Sequence, residues 1–142
     1  MDKNKTKTSD LKLIEKALEA REASYSPYSN FKVGAALLTT TGKVYKGCNI
    51  ENAAYTPSNC AERTAFFKAI SEEDDKFTSI AIVGGNDSKP LEYCAPCGVC
   101  RQVMMEFCDY ENFKIILAKS ANEYRTFSLK ELLPLGFGPN NL

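Results

Sequence analysis

Cys60-Ala61-Glu62-Arg63 and Pro96-Cys97-Gly98-Val99-Cys100-Arg101-Gln102 each open a helix, and each helix runs on to an apolar strand. After Cys60, the spacing of Ala61, Ala65, Phe66 and Ala69 predicts a helix to Ser71 with one buried face. Beyond the charged break Glu72 to Lys76, Ser79 to Gly84 reads as a strand covered on both sides. Gly98 to Cys108 predicts a second helix, and Lys114 to Ala118 a second apolar strand. Upstream, Phe31 to Thr39 and Val44 to Asn49 read as a hairpin about Thr41-Gly42, followed by a polar loop from Asn49 to Asn59. A helix over Leu11 to Ala23, capped by Ser9 or Asp10, precedes them, with Leu11, Ile14 and Leu18 on one face and Leu13 and Ala17 beside it. The serine-rich stretch Ser24 to Ser29 around Pro27 reads as a loop. Tyr124 to Phe127 is a short last strand, Ser128 caps a helix over Leu129 to Leu133, and Pro134 to Leu142 is expected to be extended. Residues 1–8 read as a mobile tail and residues 9–142 as one domain. A hairpin followed by two helix–strand units predicts the α/β class: an α/β/α sandwich on a mixed sheet of about five strands.

The chain of 142 residues carries 18 basic and 18 acidic side chains, so nothing in its charge asks for a nucleic-acid partner. No apolar run is long enough to span a membrane. The sequence has no histidine, which excludes a histidine base and histidine metal ligands. Proton transfer must fall to a carboxylate, lysine, tyrosine or metal-bound water. The start, Met1 to Asp10, is polar and lysine-rich, which predicts a cytoplasmic chain with its six cysteines reduced. Clustered cysteines in that setting more often bind metal than form disulfides.

Cys97 and Cys100 are three residues apart at a helix start and share a face, so both reach one ion. Cys60 stands at another helix start, where the positive end of the helix favours a thiolate. Three thiolates holding one zinc leave a fourth tetrahedral position for water, as in a catalytic site. Glu62, beside them, is the candidate proton carrier, although alone it would read as a glutamate stabilising a helix start. Three thiolates outweigh the charge of zinc, and Arg63 is placed to draw charge from sulfur. Gln102 could also donate to a sulfur. Cys94 keeps other readings open. Cys94-x-x-Cys97-x-x-Cys100 matches the start of an iron–sulfur run, but Met104 stands where the next cysteine belongs. Cys94 could also replace Cys97, or close a structural zinc site as a fourth ligand. We read Cys94, Cys48 and Cys108 as small thiols outside the metal site.

Cys-x-Glu followed by Pro-Cys-x-x-Cys resembles the zinc nucleoside and nucleobase deaminases in their three-cysteine form. From about Leu11 to Phe137 the chain is similar to the small cytidine deaminases of pyrimidine salvage. The resemblance implies an α/β/α sandwich, one zinc per subunit, and hydrolytic deamination of cytidine and deoxycytidine with Glu62 as proton shuttle. Gly47-Cys48-Asn49-Ile50-Glu51-Asn52-Ala53-Ala54-Tyr55 resembles the family's sugar loop, which implies that Asn49 and Glu51 bind the ribose 3′-hydroxyl. A carboxylate there accepts from a hydroxyl and repels a phosphate, favouring nucleoside over nucleotide. By the same likeness Phe31 packs on the pyrimidine and Ala61 offers its backbone to the base. Family members of this size are homotetramers, which implies that Tyr55 and Phe137 help complete pockets of neighbouring subunits. A deaminase of another small base would keep the metal residues but change the sugar loop, and a nucleic-acid deaminase would need a basic surface.

Overall fold

The computed structural model describes residues 9–142, and the tail expected over residues 1–8 lies outside the described residues. Helix α1 (Asp10–Arg21) starts where the Ser9 side chain accepts from the Lys12 N–H. Its buried stripe is Leu13, Ile14, Ala17, Ala20 and Arg21, with Leu18 partly buried against the core, so of the expected apolar positions only Leu11 faces out. Leu11 is 46% exposed in the first turn, because Leu13 and Ala17 take the sheet side and the helix period then turns Leu11 outward.

Strands β1 (Phe31–Thr39) and β2 (Val44–Cys48) form the expected hairpin. They are followed by α2 (Ala61–Ser71), β3 (Phe77–Asn86), α3 (Gly98–Phe107), β4 (Lys114–Ser120), β5 (Glu123–Ser128) and α4 (Leu129–Leu132). The sheet order is β2-β1-β3-β4-β5, with β3 and β4 parallel and every other pair antiparallel. The β3–α3–β4 crossover allows that parallel pair. Ser128 and Glu131 close a capping box on α4. The segment after α4 is not extended as expected. It folds back over α3 and ends in a 3-10 turn at Pro139–Asn141.

Period-two alternation sends β1 side chains to two cores. Ala36 and Leu38 join Ala81, Val83 and Ile116 under α1. Ala35 and Leu37 join Ile80, Ile82, Ile115 and Leu117 on the other face, under Ala61, Ala65, Phe66, Met104 and Leu129 from α2, α3 and α4. The result is an α/β/α sandwich, with β1 and β3 buried on both faces and β5 as an exposed edge.

Gly47 fixes α2 on the sheet. A Cβ there would stand 2.3 Å from the Ala61 carbonyl oxygen and 2.6 Å from the Ala65 nitrogen. The β2 backbone therefore touches the α2 backbone beside the residue that follows Cys60. No flexible side chain can yield at this contact, so Gly47→Ala should destabilise the fold by about 3 kcal/mol, read as a lower urea midpoint with an unchanged slope.

Candidate active site

Phe31 pairs with Asn86 in register, so β1 begins where β3 ends, and β2 ends close by at Cys48. The loop after β2, the start of α2 and the loop before α3 gather at this end of the sheet. Here lies a cavity of about 470 Å³ lined by Phe31, Val33, Asn49, Glu51, Ala61, Glu62, Arg63, Cys94, Ala95, Cys60 and Cys97, with Ser29, Ser58 and Asn59 at its side.

Cys60 is the N-cap of α2 and Cys97 the N-cap of α3. An N-cap side chain ordinarily accepts from the first helical turn. Neither cysteine does so, and their sulfurs meet each other at 3.7 Å. Cys100, in the first turn of α3, stands 3.6 Å from Cys97. The three sulfurs lie within 4.8 Å of one another. A tetrahedron with zinc–sulfur arms of about 2.3 Å has edges of about 3.8 Å, so the cluster fits one zinc ion. Cys94 is not part of the cluster, although it lines the cavity. All six cysteines are free.

The charges around the cluster follow from packing. Hydrogen bonding from Cys100, opposed next by burial and then joined by Arg63, brings the Cys60 thiol down to about 5. Its bond to Cys60, followed by burial, pushes Cys100 well up. Metal binding removes such protons outright. The Arg63 Nη2 donates to the Cys60 sulfur at 3.4 Å. Burial first, and then the charges of Glu62 and Cys60, push Cys94 up to about 12, so it stays a neutral thiol. Glu62 is only 4% exposed, and burial raises its carboxyl to about 7.

Asn49 and Glu51, from the loop after β2, hold the pocket wall together. Asn49 Oδ1 accepts from the Val33 N–H at 2.8 Å and from the Ser24 hydroxyl, while Nδ2 donates to the Phe31 carbonyl at 2.7 Å. One Nδ2 hydrogen is left over. Glu51 accepts from the N–H groups of Tyr28 and Ser29 and from the Ser29 hydroxyl. The Ser29 hydroxyl, ahead of the two backbone groups, keeps the Glu51 carboxyl below its ordinary value. Ser24 and Ser29 escape a reading that treats their stretch only as a turn. The signal was the run of hydroxyls placed just before Phe31.

Gln102, Tyr55 and Phe137 do not line this cavity in their own chain. Gln102 does not reach a sulfur: its Nε2 donates to the Phe137 carbonyl at 2.8 Å, because the C-terminal segment lies against that side of α3. Phe137 is 57% exposed and outside the cavity of its own chain. Tyr55 is 74% exposed, in the left-handed region at φ 62°, with its ring edge-on to Tyr28 beside Glu51. Among the described residues no helix is long and apolar enough to cross a membrane.

Residues 7–116 match the family model described as the cytidine and deoxycytidylate deaminase zinc-binding region. The chain is 45% identical to the cytidine deaminase of Sporosarcina psychrophila over 131 residues, 92% of this chain and 93% of that protein. It is 47% identical to the cytidine deaminase of Halalkalibacterium halodurans over 125 residues, 88% and 91% of the two chains. Among solved structures, the cytidine deaminase of Burkholderia pseudomallei superposes with a TM-score of 0.83 at 46% identity, covering 92% of this chain and all of that one.

Between pH 4.5 and about 7 the folded, metal-free protein keeps a proton on Glu62 that the unfolded chain has released. The Glu62 contribution to the stability of the metal-free protein should therefore fall by about 3 kcal/mol as pH rises through that window, opposed above about pH 5 by Cys60, whose lowered thiol gains stability as pH rises. The stability of wild type minus that of Glu62→Gln should fall by that amount between pH 4.5 and about 7 and stay constant above, read as urea unfolding of both proteins at stepped pH in a chelator.

Proposed function

The chain belongs to the cytidine and deoxycytidylate deaminase family, and on that premise we propose that it hydrolyses cytidine and deoxycytidine to uridine and deoxyuridine plus ammonia, in pyrimidine salvage. The observation that carries this reading is the pairing of three convergent sulfurs with one buried carboxyl beside a cavity that Cys60, Glu62 and Cys97 line. We assign Cys60, Cys97 and Cys100 as the ligands of one zinc per subunit. Zinc, when bound, supplies the Lewis acidity that makes a water nucleophilic near neutral pH.

Glu62 takes a proton from that water as the water oxygen bonds to C4 of the pyrimidine, and delivers it to N3. It then takes the remaining proton from the hydroxyl now on C4 and carries it to the exocyclic nitrogen, whose bond to C4 breaks as the C4 carbonyl forms and ammonia leaves. A carboxyl raised to about 7 by burial both accepts and donates at that pH. Arg63 offsets the excess negative charge of the thiolates, as its contact with Cys60 supports. Phe31 packs on the ring, Ala61 presents backbone groups to the base, and Asn49 and Glu51 bind the ribose. The ionised Glu51 on the cavity wall disfavours a phosphorylated sugar.

Residues 9–142 act as one catalytic domain in the cytoplasm. Four copies assemble, and Tyr55 and Phe137 close the pockets of their neighbours. Their exposure, and that of Leu135, which is fully open, supports this assembly.

The purified protein should release ammonia from cytidine and deoxycytidine but not from CMP. Glu62→Gln should keep one zinc per chain and lower kcat by about a thousandfold. Full activity in that variant, or turnover of CMP alone, would contradict the assignment.

A further inference from the structure

Arg101 follows the last sulfur of the cluster and reaches in two directions. Its Nε donates to the Pro96 carbonyl at 2.7 Å, and its Nη1 donates to the Leu132 carbonyl. Pro96 precedes Cys97, and Leu132 is the last residue of α4. The Leu132 carbonyl has no partner within its own helix, and the guanidinium satisfies it. Neighbouring bonds extend the attachment. The Tyr110 hydroxyl donates to the Leu133 carbonyl at 2.6 Å and accepts from the Gly136 N–H at 3.2 Å. Gln102 holds the Phe137 carbonyl. A Cβ on Gly136 or Gly138 would meet the Met105 side chain at 3.1 or 2.9 Å, so this segment lies directly on α3. Residues 132–138 form a strap along the helix that carries Cys97 and Cys100.

The turn at Pro96-Cys97 has few holds of its own. Cys97 stands at the N-cap of α3 with its sulfur facing the cluster, so its side chain does not brace the helix start. One backbone bond, from the Arg101 N–H to the Cys97 carbonyl at 3.0 Å, closes the first turn. The Arg101 side chain fixes the residue before it. A planar guanidinium grips two carbonyls in fixed directions at once, which a lysine ammonium on a flexible stem does not. We propose that Arg101 is a positioning residue for the metal: it passes the seating of the C-terminal strap to the Cys97–Cys100 turn and keeps those two sulfurs at metal-binding separation. This rests on the zinc reading of the site. Among the described residues, Arg101 itself hydrogen-bonds only to carbonyls.

Zinc-loaded wild type, Arg101→Lys and Tyr110→Phe would be mixed with a chromophoric zinc chelator and metal release followed at fixed pH. Arg101→Lys should release zinc about tenfold faster or more. Tyr110→Phe loosens the strap without touching the metal turn, and should show a smaller acceleration. The rise in thermal midpoint on zinc loading should also shrink in Arg101→Lys. A merely structural arginine would lower the zinc-free and zinc-loaded midpoints equally and leave release unchanged, and that result overturns the proposal. Should Arg101→Lys fail to fold, wild-type release from Tyr110→Phe overturns it equally. A wild-type protein that holds no zinc overturns the site reading and this proposal together. One that holds zinc, with unchanged release in the variants, overturns this proposal alone.

Discussion

Three sulfurs from two separate helix starts have to reach one point, and much of the molecule serves that requirement. Cys60 and Cys97 occupy N-cap positions without capping, because each sulfur turns from its helix toward the other. The helices must then be fixed by other means. Backbone contact at Gly47 seats α2, and Ala61, Ala65 and Ala69 are small enough to allow the approach. Helix α3 is fixed by its place in the β3–α3–β4 crossover and by Arg101 at its start. The two helix N-termini also bring partial positive charge to the place where three thiolates accumulate negative charge.

The same convergence sets the chemistry. Placing Glu62 in the first turn of α2, behind Cys60 and under the sheet end, buries its carboxyl and raises its proton affinity toward neutrality. Glu51, on the exposed loop, is surrounded by donors and stays ionised. Two carboxyl groups in one cavity are thereby driven apart, one suited to moving protons and the other to accepting hydroxyl hydrogen bonds. Asn49 ties the loop after β2 to the start of β1, since its amide holds the backbone of both Phe31 and Val33.

Much of this was legible in the chain. The hairpin was readable because Thr41-Gly42 marks its turn, and β1 runs from Phe31 to Thr39 as expected. The apolar character of Ile80 to Val83 and Ile115 to Leu117 announced central strands buried on both faces. The cysteine spacing located the metal cluster because residues three apart at a helix start share a face. Other features depend on tertiary contacts with no local signature. Leu11 is as apolar as Leu13, and only docking of α1 on the sheet decides which is covered. Gln102 lies next to the metal motif, yet its amide follows the C-terminal strap, whose return over α3 could not be read from its prolines and glycines. Ser29 and Ser24 looked like turn residues because their acceptors, Glu51 and Asn49, lie far along the chain.

The central claim is that three thiolates hold the metal and leave one position open for chemistry. X-ray absorption at the zinc edge, on protein purified with its metal, tests it most directly. The account predicts three sulfur neighbours at about 2.3 Å together with one oxygen neighbour. Four sulfur neighbours would mean that Cys94 has joined the cluster and closed it, which would contradict a catalytic site.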